Sequence, residues 1–269
     1  MKYFWILIVN IALLATATPV RANLVLGIAE GVSEQSRFGD IEDRYQLLAD
    51  YLGRVLKNRV TLEASQNFKS SVSNLQKGRF DLFFSRPSNV PAKAMRDHQY
   101  QLVAVAKGDS SVNFIVRKDH ALKKPEDILT HTIVMPRSPT ALMTAAGLAT
   151  IRDMGGMKGP NQLRYANYQE AVGYMVDMKF ADVGIVNPGQ AKVWEKKGGV
   201  VLFKSKKLPF WSITASPRLG KAELAKLQAA LVDMENTEEG KKILTKIGVK
   251  GWVPGDPKEF MDLLTWLGV

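Results

Sequence analysis

The chain has 269 residues, 46% of them hydrophobic and 23% charged, a globular balance in a length that suits one large domain or two small lobes. It holds no cysteine, which excludes disulfides, thiolate catalysis and lipid attachment through a cysteine. The formal charge of +11 comes mostly from lysines spread along the chain, with no arginine-rich or aromatic-interleaved basic stretch. That argues against nucleic acid and for an anionic small ligand or a solvated basic surface.

Residues 1–22 stand apart. Lys2 precedes an apolar run over 3–15, and Val20, Arg21 and Ala22 place small or compact residues at a cleavage position. This pattern predicts a secretory signal peptide with the mature chain beginning at Asn23. The run is shorter than the roughly 20 residues of a membrane span, so no stable insertion is expected after its removal. The remaining chain has 35 basic against 26 acidic residues, a net of +9. A secreted, unstapled domain of this size rests on its hydrophobic core, and a diderm periplasm is its simplest home.

The mature chain opens with a strand over 24–29, a polar loop from Glu30 to Ser36, and a helix capped by Asp40. The apolar face of that helix is Ile41, Tyr45, Leu48, Leu52, Val55 and Leu56. A second strand over 60–64 completes a βαβ unit, which predicts a parallel sheet with right-handed crossovers. A helix over 67–77 and a strand over 80–84 follow, ending in Ser85-Arg86-Pro87-Ser88-Asn89. Strands are expected at 101–106 and 112–117, and a short helical turn at 125–129.

The stretch 132–154 reads as a strand, a tight polar loop and a helix. Pro136 ends the strand, Ser138 is placed as N-cap with Pro139 at the first helical position, and Gly155-Gly156 stops the run. A helix start carries free N–H groups and partial positive charge, a natural seat for an anion, and Arg137, Ser138 and Thr140 sit there. Capping alone is the competing role for Ser138. A helix over 168–178 and a strand over 181–186 then repeat the earlier unit. Phe68 echoes Tyr168, Val72 echoes Val172, Asp81 echoes Asp182 and Pro87 echoes Pro188. Each unit ends in a polar loop at the C-terminal end of its strand, where open α/β sheets bind ligands. Strands over 200–203 and 211–215 and helices over 221–234, 237–247 and 259–267 complete the chain.

Five segments carry a resemblance in their order: YQLLADYLGRVL from Tyr45, LQKGRFDLFFSRPSN from Leu75, FIVRKDHALKKPEDIL from Phe114, the strand–loop–helix at 132–154, and MENTEEGKKILTKIGVKGWVP from Met234. They are distributed along the mature chain from Tyr45 to Pro254. It resembles the phosphate/phosphite/phosphonate group of periplasmic solute-binding proteins, the phosphonate-binding type. The resemblance implies an α/β, two-lobed type II periplasmic-binding-protein fold. Each lobe would be a mixed, mainly parallel sheet flanked by helices, with two hinge crossings. Lobe 1 would be 23–112 plus 212–269 and lobe 2 113–211. It further implies a monomer that captures a small oxyanion and hands it to an ABC permease, with no cofactor. A sensory role toward a membrane histidine kinase is the alternative.

The departures from the family pattern bear on the ligand. The usual Ser-Thr-Ser-Gly loop is Ser138-Pro139-Thr140-Ala141 here, a family His is Tyr168, and the acid that commonly ends the second repeat strand is Asn187. In aminoalkylphosphonate binders, acids in this region face the amine, so its loss argues against an amine-bearing ligand. A Gly becomes Arg86, a fixed positive charge suited to a doubly charged anion. The candidate ligand contacts are Ser33, Tyr45, Arg86, Ser88, Arg137, Ser138, Thr140, Tyr168 and Asn187. Arg86 has surface ion pairing as its competing role, and Tyr45 has core packing. Trp211 and Phe114 are expected as hinge packing, and Glu30 in a solvated loop. No G-x-S-x-G, H-E-x-x-H, P-loop or Rossmann fingerprint occurs, and His98, His120 and His131 look scattered, so neither an enzyme nor a metal site is expected.

Overall fold

The structure, a computed structural model, describes residues 23–30, 38–64, 68–137, 141–159 and 162–269. In chain order its first part runs β1 (Leu24–Ala29), α1 (Phe38–Leu56), β2 (Val60–Ala64), α2 (Phe68–Gln76), β3 (Leu82–Ser85), α3 (Asn89–His98) and β4 (Gln101–Ala106). The middle part is β5 (Asn113–Val116), a 3-10 turn (Pro125–Thr130), β6 (Ile133–Pro136), α4 (Leu142–Asp153), β7 (Leu163–Ala166), α5 (Gln169–Asp177), β8 (Val183–Val186), α6 (Pro188–Lys196) and β9 (Val200–Lys204). The last part is β10 (Ser212–Ala215), α7 (Lys221–Asp233), α8 (Glu238–Ile247), β11 (Trp252–Val253) and α9 (Pro257–Leu267).

These strands form two sheets. One has the order β11-β4-β10-β3-β1-β2 and the other β7-β6-β8-β5-β9. In each, three neighbouring strands are parallel and a crossing strand runs antiparallel beside them: β10 against β3, and β5 against β8. The chain passes from the first sheet to the second between β4 and β5 and returns between β9 and β10. The two crossings are tied to each other. Leu208 N–H donates to Ser110 O at 2.9 Å, Ser205 N–H to Val112 O at 2.9 Å, and Lys207 pairs with Asp109 at 2.6 Å.

Each sheet has its own core. The apolar stripe of α1, with Ile41, Tyr45, Leu48 and Leu52, packs on Leu26, Ile28, Phe84 and Trp252. Side chains such as Leu48 and Leu52, with no exposed surface, each contribute about 1.5–3 kcal/mol of burial energy. The second sheet packs Phe114, Met135, Ile151 and Ile185 on one face and Val172, Val176 and Trp194 on the other. α9 touches both bodies, lying on α3 and on α4.

The echo between the two units is physical. Asp81, just before β3, accepts the Val25 N–H of β1 at 2.9 Å, and Asp182, just before β8, accepts the Thr132 N–H ahead of β6 at 3.1 Å. Each aspartate clips its strand to the parallel neighbour.

Several expectations are corrected. Asp40 lies inside α1, which starts at Phe38, rather than capping it. Pro136 is the last residue of β6, not the residue that stops it. α4 starts at Leu142 with Ala141 in the N-cap position, so neither Ser138 nor Pro139 opens that helix. The first turn of α4 is tied to the end of β6 by Thr144, whose hydroxyl donates to Pro136 O at 2.6 Å. The helices α3 and α6 and the strand β7 were not anticipated. For α6 the signal was present: Asn187 as N-cap and Pro188 at the first helical position.

Candidate functional site

A cleft of about 510 Å³ opens between the two sheets, at the C-terminal ends of the parallel strands of both. The residues that follow β1, β3 and β8 reach it, and the first crossing, at Gly108, Asp109 and Ser110, forms part of its floor.

The wall on the first sheet is built around Arg86. Its guanidinium lies 4.4 Å over the Trp211 ring, and Trp211 stacks on Phe210 with centroids 4.6 Å apart. Gly108 permits this packing, because a Cβ there would fall 2.4 Å from the Phe210 ring. Arg86 Nη2 is 2.8 Å from Glu30 Oε1 and donates to Tyr45 Oη at 3.5 Å. The same Glu30 oxygen accepts from Arg44 Nη1 at 2.6 Å and from the Tyr45 hydroxyl at 2.7 Å. The Glu30 side chain is 3% exposed, not solvated as expected. Burial pushes its carboxyl pKa up, but Arg86, the Tyr45 hydroxyl and Arg44 together more than offset this and hold it below the ordinary value. Glu30 therefore stays ionised at neutral pH. Burial also raises the pKa of Tyr45, which keeps its proton to donate. Two arginines around one carboxylate leave a net positive charge in this wall.

The wall on the second sheet offers backbone. The starts of α4 at Ala141–Met143, of α5 at Gln169 and Glu170, and of α6 at Pro188–Gln190 all line the cleft. Neither Ala141 nor Tyr168 caps its helix through a side chain, whereas the Asn187 side-chain oxygen Oδ1 accepts the Gln190 N–H at 2.9 Å. Gln169 accepts the Asn187 N–H at 3.2 Å and so joins the α5 and α6 starts. Three helix N-termini converging on one space add their partial positive charges there. At the lips, Lys107 is held by Glu235 at 2.6 Å, whereas Lys192 and Lys250 form no ion pair among the described residues.

The structure sorts the candidate contacts. Arg86 and Asn187 line the cleft. Tyr45 is fully buried against Phe84 and reaches the site only through Glu30 and Arg86. Ser88 is fully buried, and its neighbour Pro87 forms the wall instead. Arg137 is exposed and Tyr168 is 40% exposed; neither is part of the cleft wall. Ser33, Ser138 and Thr140 lie outside the described residues. Trp211, expected as hinge packing, is a wall of the cleft, and Phe114 does pack internally on Phe203. The histidines are less scattered than they look: His120 and His131 meet with ring centroids 5.7 Å apart, and His120 Nε2 is 3.3 Å from Asp182. Among the described residues, however, no group of three or more His, Cys, Asp or Glu side chains is placed to hold a metal ion.

Residues 32–260 match the family model of the periplasmic phosphonate substrate-binding proteins of ABC transporters. The chain belongs to this family. No curated protein sequence matches it. Among solved structures, XAC2383 from Xanthomonas citri, bound to ATP, is similar with a TM-score of 0.75 at 15% identity over 92% of this chain and 98% of that one. PhnD1 from Prochlorococcus marinus, in complex with methylphosphonate, gives 0.69 at 14% identity over 90% and 96%. The phosphonate-transporter binding protein PA3383 from Pseudomonas aeruginosa gives 0.65 at 13% over 91% and 85%. At these identities the likeness concerns the fold, which is the type II periplasmic-binding fold. Family membership makes the protein the solute-binding component of an ABC transporter rather than an enzyme. It gives the protein a periplasmic location, a small-molecule ligand and an ABC permease as partner, and it favours transport over the sensory alternative. Among the described residues no helix is long and apolar enough to cross a membrane.

Proposed function

We propose that the cleft captures a small phosphorus oxyanion, phosphate-, phosphite- or phosphonate-like, and closes on it by a hinge. The observation that carries this reading is the meeting of three helix N-termini with the Arg86 guanidinium across one cleft. Backbone N–H groups at a helix start and a guanidinium both donate hydrogen bonds to the oxygens of a tetrahedral oxyanion. The lobes would be 23–112 plus 212–269 and 113–211, turning about the paired crossings. Ser33, Ser138 and Thr140 would add hydroxyl donors. Arg137 and Tyr168, beside the starts of the 138–141 loop and of α5, would reach the ligand on closure. The signal segment 1–22 would be removed, and the mature chain would act as a monomer. Asn187 in place of an acid supports an anion without an amine.

The test is calorimetry and thermal melting of the chain from Asn23 with inorganic phosphate, phosphite and methylphosphonate. A ligand bound by the folded state alone stabilises it by about 2.7 kcal/mol at a hundredfold excess over Kd, which raises the melting temperature. At least one of the three is expected to do so. If none binds at millimolar concentration, the oxyanion reading is wrong.

A further inference from the structure

We propose that α9 is a strap holding the lobes apart, with Trp266 as its fastening, so that a helix outside the cleft sets how tightly the cleft binds. This rests on the hinge-closure reading above. One face of α9 is anchored in the first lobe, where Phe260 and Leu264 are buried with Ala92 and Val105. The other face is held by the second lobe and the hinge. Leu263 is buried in the cluster that contains Val112, Leu208 and Ile151, and Trp266 packs against it. The Trp266 indole N–H donates to Asp153 at 2.6 Å, and Arg152 donates to the Trp266 carbonyl at 2.9 Å. The Lys206 ammonium, on the return crossing, lies 4.1 Å from the Trp266 ring centroid, a cation–π contact. On the first lobe, Arg96 donates to the Val269 carbonyl at 2.7 Å.

The direction of the effect follows from where these contacts lie. α4 starts in the cleft and ends at Asp153 against α9, and α3 starts just beyond the cleft residue Pro87 and ends beside α9. At about 1.5 Å per residue these helices are roughly 15–18 Å long. Between their two ends lies the hinge: Gly108, Asp109 and Ser110 face the cleft, while Val112, Lys206 and Leu208 pack toward α9. Turning the lobes about that hinge to bring the cleft ends together moves the α9 ends apart. The Trp266 contacts are therefore made in the open state and loosened on closing. A ligand that binds only the closed state has its apparent affinity reduced by the small fraction of closed molecules. Raising that fraction from about 1% to about 10% would tighten binding about tenfold.

The cysteine-free chain allows a direct test. Spin labels at Lys192→Cys and Lys250→Cys, one on each lip, report the cleft width without any ligand. Trp266→Ala is expected to shift the ligand-free distances toward shorter values. Asp153→Ala should do so more weakly, and its half-exposed side chain makes it a control that folds. In unlabelled protein, Trp266→Ala should bind whichever of phosphate, phosphite or methylphosphonate wild type binds, severalfold more tightly. Ligand-free distances that stay as in wild type in both folded variants overturn the strap. Wild-type distances that do not shorten with an anion that demonstrably binds overturn hinge closure instead.

Discussion

The unit α2–β3–α3 and the unit α5–β8–α6 are built alike and present different chemistry to the same cleft. In both, an aspartate just before the strand clips the neighbouring parallel strand, Asp81 to Val25 and Asp182 to Thr132, and a proline follows at the strand's C-terminal end. In the first unit that turn sends out Arg86, a charge held on Trp211 and tempered by Glu30. In the second, Asn187 caps α6 with its own side chain and presents the helix start. In the proposed site one unit would donate through a side chain and the other through backbone. The scaffold fixes where the turns point, and a single residue in each turn decides what they offer.

Removing the side-chain half should have the largest effect. Arg86→Ala is expected to cost about 1.5–3 kcal/mol of oxyanion binding, the range for hydrogen bonds to charged groups, or roughly ten- to over a hundredfold in Kd by calorimetry. Glu30 keeps Arg44 and Tyr45 as partners, so the variant should remain folded. Unchanged affinity in a folded Arg86→Ala protein would place the anion elsewhere.

Spoiling the backbone half without touching the backbone is the next test. Asn187→Asp keeps a good N-cap and favours the helix dipole, so stability should hold or rise slightly. Yet a carboxylate in the cleft wall repels a bound anion, and at an effective dielectric of about 20 this costs on the order of 1 kcal/mol or more, at least about fivefold in Kd. The same variant should gain binding of 2-aminoethylphosphonate relative to methylphosphonate. No loss of methylphosphonate binding and no relative gain for 2-aminoethylphosphonate would mean that position 187 does not face the ligand.

Glu30→Gln should give the smallest change in affinity and the clearest change with pH. Removing the negative charge beside Arg86 should tighten oxyanion binding a fewfold. Wild-type Glu30 has its pKa below the ordinary 4.5, so its stabilising contribution is present above that value and is lost as pH falls through the lower folded value. Glu30→Gln should be less stable than wild type at neutral pH, and the gap should narrow as pH drops below 4.5. Denaturant midpoints that differ by the same amount at pH 7 and pH 3 would show that Glu30 acts by packing rather than by charge.

Much of the fold was written in local pattern. β1, β2 and β4 lie where the apolar runs place them, and α1 buries the face its spacing marks out, because burial of a stripe with period 2 or 3.6 is the same demand wherever the chain goes. Turn-bound elements were harder. α6 begins at Asn187-Pro188, which reads equally as a strand-ending loop, and α4 begins at Leu142, three residues beyond the Ser138-Pro139 signal, with Thr144 tying its first turn to Pro136.

The site divides along the same line. Arg86 and Asn187 were legible, since each stands in a turn at a strand end and that position implies the cleft in an α/β sheet. Glu30 and Trp211 were not. A glutamate after a strand looks solvated until Arg44, Tyr45 and Arg86 converge on it from a helix and another strand, and a tryptophan at a crossing looks like packing until Arg86 lies on its face. The sequence by itself determined the α/β class, most of the strands and helices and the two strand-end turns that line the cleft, because backbone periodicity and turn chemistry are local. Which charges meet in the cleft, which helix starts converge there and what α9 bridges were decided by tertiary structure alone, because electrostatic partners are chosen by distance in space, which sequence separation does not encode.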